Sequence, residues 1–123
     1  MSNPTDEVVA FFNEWKTPEQ MRASFEARFT AETIWENVGV KRTVGIEQAL
    51  KFVDGFNAKL KVGRVEVTID HIAATGNVVL HERSETFCRA DGSKITSVRV
   101  MGILEMDGPK ILAWREYFDT KGS

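Results

Sequence analysis

The chain has one cysteine, Cys88, and one tyrosine, Tyr117, among its 123 residues. A single cysteine makes no internal disulfide, so nothing here calls for an oxidising compartment. A surplus of one charge is also missing. Lys+Arg number 16 against 18 Asp+Glu, for a formal net charge of -2. Phosphate binding needs a basic surplus, so this balance argues against nucleic acid as a main partner. It argues equally against a polybasic membrane anchor. No long apolar run is present. The opening Met1–Glu7 is acidic where a signal peptide would be basic. A soluble cytoplasmic protein is the expectation. Phosphate-binding glycine loops, HExxH and CxxC patterns are absent, as are linkers, repeats and low-complexity tracts. The length suits one domain over residues 1–123, with a core and room for one pocket.

What the chain does have is aromatic side chains of the apolar kind: eight Phe and three Trp. Asn3 can cap a helix that carries Pro4 at its first position, with Val8, Phe11, Phe12 and Trp15 on one stripe. Thr17-Pro18-Glu19-Gln20 is a capping box for a second helix bearing Met21, Phe25 and Phe29. Residues 30–37 lean toward strand. A third helix is expected from near Gly45, with Ile46, Ala49, Leu50 and Val53 at helical spacing. Phe52, Phe56 and Leu60 widen its apolar face.

The second half alternates with period two. Strands are expected from Arg64, from Val78 to Arg89, from Ile95 to Met106, and from Ile111 to Asp119. Gly76-Asn77, Asp91-Gly92 and Asp107-Gly108 punctuate them. Helices followed by a meander predict an α+β domain. Three N-terminal helices would pack on the concave face of a cone-shaped, curved antiparallel sheet, leaving an open mouth.

Strand parity then sorts the charges. Side chains two apart share a face. His81, Arg83, Glu85 and Phe87 fall on one face of their strand, and Cys88 on the other as a packing thiol. Leu112, Trp114, Glu116 and Phe118 share a face of the last strand, while Tyr117 points away. Glu116 therefore sits among large apolar residues, where a carboxylate needs a partner, and Arg83 is the obvious one. On the residues alone, an exposed cross-strand ion network is the favoured reading. Val98 and Val100 share the pocket face of their strand, with Met101 and Ile103 opposite. An apolar outer face is a candidate dimer surface. His71 and His81 would lie close across Gly76-Asn77, but no third residue has helpful spacing, so no metal site is expected.

Two segments resemble the limonene-1,2-epoxide hydrolase family, within the nuclear transport factor 2-like and ketosteroid-isomerase-like superfamily. Glu82-Arg83-Ser84-Glu85 is similar to the family's Glu-Arg-x-Asp strand. Trp114-Arg115-Glu116-Tyr117-Phe118-Asp119 is similar to its Trp-Arg-Asp-Tyr-Phe-Asp ending. Thr33-Ile34-Trp35-Glu36-Asn37 is a weaker match, where the family carries a tyrosine and an asparagine two apart.

The resemblance implies a cofactor-independent, metal-free hydrolase that converts a small apolar epoxide to a vicinal diol. Glu116 would be the general base on water and Glu85 the general acid on the epoxide oxygen, with Arg83 holding both. Asn37 and Trp35 would orient the water, although Asn37 also suits a turn and Trp35 also suits pocket lining or core. Phe56, Phe87, Val98, Val100, Trp114 and Phe118 would line the substrate pocket, and a homodimer is implied. The division of labour is physically sound: two carboxyls in one site have split pKa values, so one can give a proton while the other takes one.

The departures are specific. Glutamate stands for aspartate twice, adding about 1.5 Å of reach each time. Tryptophan stands for tyrosine, and an indole N–H only donates. Two other functions therefore stay open. One is ketosteroid-isomerase-like or polyketide-cyclase-like chemistry; the other is non-catalytic binding of a hydrophobic ligand.

Overall fold

A computed structural model describes residues 3–119. Met1, Ser2 and residues 120–123 of the expected single domain lie outside the described residues.

The helices start where the sequence caps them. Helix α1 is Pro4–Asn13, and the Asn3 side chain accepts from the Asp6 amide at 2.8 Å. Helix α2 is Pro18–Arg28, with Thr17 Oγ1 accepting from the Gln20 amide at 3.2 Å. Helix α3 is Ile46–Leu60, with Gly45 at its N-cap. No described helix is long and apolar enough to cross a membrane.

Six strands follow in one sheet: β1 Ile34–Asn37, β2 Lys41–Val44, β3 Arg64–Thr75, β4 Val78–Cys88, β5 Lys94–Asp107 and β6 Lys110–Tyr117. Their order across the sheet is β2-β1-β6-β5-β4-β3. The expected meander β3 to β6 is there, closed tightly at Gly76-Asn77, where Gly76 takes a φ of 59°. The sheet is mixed, however, because β1 runs parallel to β6. That pairing joins Ile34–Asn37 to Ala113–Glu116, far apart in the chain, and no local pattern signals it. The short, exposed β2 was not anticipated either.

One parity reading changes with a local bulge. The β5–β6 register shifts between Glu105 and Met106, so Ile111 turns inward and Leu112 is 47% exposed. Leu112 therefore does not flank Glu116. One extra residue in a strand reverses the facing of everything on one side of it. A second shift, between Phe87 and Cys88, accompanies the burial of Cys88.

One apolar core gathers the aromatics of α1 and α2 against β1, β5 and β6. Phe11, Phe12, Trp15, Phe25, Phe29, Trp35 and Trp114 are all buried in it. Trp35 and Trp114 stack with ring centres 4.7 Å apart and planes 11° apart, as cross-strand partners of the parallel pair. Buried Arg83 lies against this cluster, over the ring of Phe12.

Candidate active site

Strand β4 carries the polar line His81, Arg83, Glu85 on its buried face. Strand β6 brings Glu116 to the same place. All four residues are at most 5% exposed. Arg83 joins the two carboxylates. Its Nη2 donates to Glu85 Oε1 at 3.1 Å, and its Nη1 forms an ion pair with Glu116 Oε2. The exposed-network reading is thus excluded by burial.

The guanidinium is caged as well as paired. Its central carbon lies 4.4 Å from the ring centre of Phe12 and 5.7 Å from those of Trp15 and Trp114. A desolvated cation over aromatic faces gains from their quadrupoles. Phe12 and Trp15 were legible only as core, and their second use as a floor for Arg83 depends on tertiary contact.

Burial dominates the electrostatics. It works against the charge of Arg83, but Glu116 and Glu85 outweigh it and raise the arginine above its ordinary value. For Glu85, burial raises the pKa, Arg83 opposes this, and the Glu116 charge adds to the rise; the net result lies above the usual carboxylate value. Glu85 is thus biased toward the protonated form that a proton donor needs.

Strand β1 supplies the other two expected groups through the parallel register, which pairs Asn37 with Glu116 and Trp35 with Trp114. The Val38 amide donates to the Glu116 carbonyl at 2.9 Å and locks this alignment. Trp35 Nε1 donates to Glu116 Oε1 at 3.3 Å. The indole therefore acts on the carboxylate itself.

The expected lining residues divide by depth. Phe56 of α3 is 37% exposed and meets the buried Phe87 edge-to-face, with ring centres 5.1 Å apart. Val100 and Val98 are the cross-strand partners of Arg83 and Glu85. Trp114 is fully buried, packed on Trp35 and Phe11. Phe118 is part-buried, just past the end of β6.

The two histidines occupy opposite faces of the sheet. The His71 side chain is 84% exposed beside Glu82, while His81 is 1% exposed. From the sequence, His81 shares a face with Arg83 and Glu85 and otherwise reads as half of a metal pair. Its Nε2 instead lies 2.8 Å from Arg83 Nη1. Its spacing of two from Arg83 was the signal that could have placed it in the site.

The catalytic domain of limonene-1,2-epoxide hydrolase matches residues 2–122 of this chain. The chain belongs to that family. A relative described as epoxide hydrolase EphG, from Mycobacterium tuberculosis (strain ATCC 25618 / H37Rv), is 32% identical over 97 residues. That match covers 77% of this chain and 60% of the relative, so the chain spans less than two-thirds of the relative's length. A solved structure of an M. tuberculosis LEH-like epoxide hydrolase is similar at a TM-score of 0.75 and 28% identity, over 94% of this chain and 82% of that one. An NTF2-like protein from Anabaena variabilis ATCC 29413 shares the fold alone, at a TM-score of 0.74 and 19% identity, over 98% and 93% of the two chains. The fold and family expected from the strand motifs are therefore the ones found.

Proposed function

We propose that this chain hydrolyses a small apolar epoxide to a vicinal diol in a single step. One observation carries the reading: a buried arginine bridges two carboxylates, one of which is biased toward its protonated form. Glu116 takes a proton from water as the water oxygen bonds to an epoxide carbon. The carbon–oxygen bond breaks, and Glu85 gives its proton to the leaving oxygen. Return of the proton from Glu116 to Glu85 restores the starting state. Each transfer contributes on the order of a hundred- to ten-thousand-fold. Asn37, aligned with Glu116 across the parallel pair, holds the water. Trp35 fixes the base by its bond to Oε1. Phe56, Phe87, Val98 and Val100 offer the substrate an apolar wall.

Isomerase or cyclase chemistry would need a free donor pair for an enolate oxygen. Beside Glu116 and Glu85 the strong donors are Arg83 and Trp35, and both already serve the carboxylates. The hydrolase reading is therefore favoured.

The protein acts as a homodimer in this proposal. Leu80, Met101 and Tyr117, each 42–50% exposed, lie together on the outer face of β4, β5 and β6 and supply an apolar contact surface. A buried, unpaired Cys88 fits a reducing cytoplasm.

The test is diol formation from a panel of cyclic and aryl-alkyl epoxides, run in ¹⁸O water under single turnover. The expected result is label in the diol from the first turnover. Label entering only on the second turnover would mean a covalent enzyme ester and sink the one-step mechanism.

A further inference from the structure

His81 is a buried imidazole that the hydrolysis scheme does not use. Arginine has donors and no acceptor, so the 2.8 Å contact to Arg83 Nη1 makes His81 Nε2 the acceptor. The proton of the neutral ring then sits on Nδ1. That nitrogen is buried with no hydrogen-bond partner among the described residues. An orphaned buried donor is costly and rare, so its presence needs a reason.

The neighbouring strand is shaped around this ring. Gly102 is the cross-strand partner of both His81 and Glu116. A Cβ at Gly102 would stand 2.5 Å from His81 Cε1 and 3.2 Å from Nε2. The imidazole thus lies against bare backbone, where any other residue would push it off Arg83. Phe12 closes the other side, with ring centres 4.8 Å apart.

We infer that His81 is a positioning residue, a neutral third acceptor that orients the Arg83 guanidinium between Glu85 and Glu116, with Gly102 as the residue that makes room for it. The electrostatic logic favours a neutral group. Arg83 already faces two carboxyl groups, Glu85 and Glu116. A third carboxylate at this place would compete with Glu116 for the arginine. An imidazole holds Nη1 without adding charge. Burial, helped by the Arg83 charge, lowers the His81 pKa to about 3, so the ring stays an acceptor through the working range. Charged groups reach it from β4 as Arg83 and Glu85 and from β6 as Glu116. Its partners on α1, β5 and β3 are Phe12, Gly102 and Ile72, which do not titrate.

The kinetic part of the test rests on the hydrolase reading, and the spectroscopic part does not. Nitrogen-15 NMR of the wild-type imidazole should show the Nδ1–H tautomer from pH 8 down to pH 5. An Nε2–H tautomer or an imidazolium in that range would overturn the inference. The Arg83 Nη signals should be split by hindered rotation in the wild type and in His81→Gln, which keeps an acceptor, and averaged in His81→Leu. Splitting that persists in His81→Leu would also overturn it. In the epoxide assay, His81→Leu should lower kcat about tenfold or more with KM within about twofold, the mark of a loss felt mainly in the transition state. His81→Gln should restore much of the rate, and Gly102→Ala should behave like His81→Leu. Wild-type kcat and pH profile in a folded His81→Leu would overturn the role. A wild type inactive on every epoxide would sink the hydrolase reading alone, and the NMR result would still decide His81.

Discussion

Trp35 donates its indole N–H to Glu116 Oε1 at 3.3 Å while stacking flat on Trp114. The contact ties the proposed base to the aromatic core. Replacing Trp35 with Phe removes the donor and leaves a smaller ring. A hydrogen bond to a charged group contributes about 1.5–3 kcal/mol. Steady-state kinetics on Trp35→Phe should therefore show kcat lowered about ten- to a hundredfold. Trp35→Tyr, which restores a group able to hold water and frees volume, should keep more activity and accept bulkier epoxides.

Glu85 should set the alkaline side of the pH profile. Its pKa is raised, so it donates a proton only below that value, and activity falls as pH rises through it. The same shift affects folding. Above the ordinary carboxylate range the unfolded chain ionises first, so stability contributed by Glu85 is present below that range and is lost as pH rises through the raised value. Glu85→Gln should lower kcat on the order of a hundredfold or more, remove the Glu85 limb from the pH–rate profile, and unfold at nearly the wild-type temperature. An alkaline limb that persists unchanged in Glu85→Gln would contradict this role.

His81 acts on the opposite side of the pH scale. Its pKa falls from 6.5 to about 3. Between those values the unfolded chain binds the proton more readily. Stability from the buried neutral ring is therefore full above pH 6.5 and lost as pH falls, by up to about 1.4 kcal/mol per pH unit. Urea unfolding across this window should give a shallower slope for His81→Gln than for the wild type.

Arg83 should be the most costly of these residues to remove. Breaking a buried ion pair by deleting one partner costs about 3–5 kcal/mol, because the other charge stays buried. Arg83→Met leaves the Glu85 and Glu116 carboxyl groups buried without their shared cation. Chemical denaturation should show a loss of that size at neutral pH.

The outer face offers a separate test. Met101 is 50% exposed between Leu80 and Tyr117. Met101→Glu should convert a dimer to monomers in light scattering without touching Arg83, whose side chain faces the other way. An unchanged mass would rule this face out as the contact.

Much of the fold was written locally. Asn3 and Thr17 set two helix starts, Gly76-Asn77 closed a hairpin, and period-two alternation put His81, Arg83 and Glu85 on one face. These signals involve neighbours within a few residues, where propensity and parity decide. The sequence by itself therefore determined the α+β layout and placed a line of charges on one face of β4. Tertiary structure decided what that line touches. The parallel β1–β6 pair, which brings Asn37 and Trp35 to Glu116, joins segments about 80 residues apart, and its register depends on packing no short window contains. The bulge that turned Leu112 outward, and the bare backbone of Gly102 beneath His81, were likewise fixed only when the strands met. Parity is a property of one strand, whereas a site is a property of the register between strands.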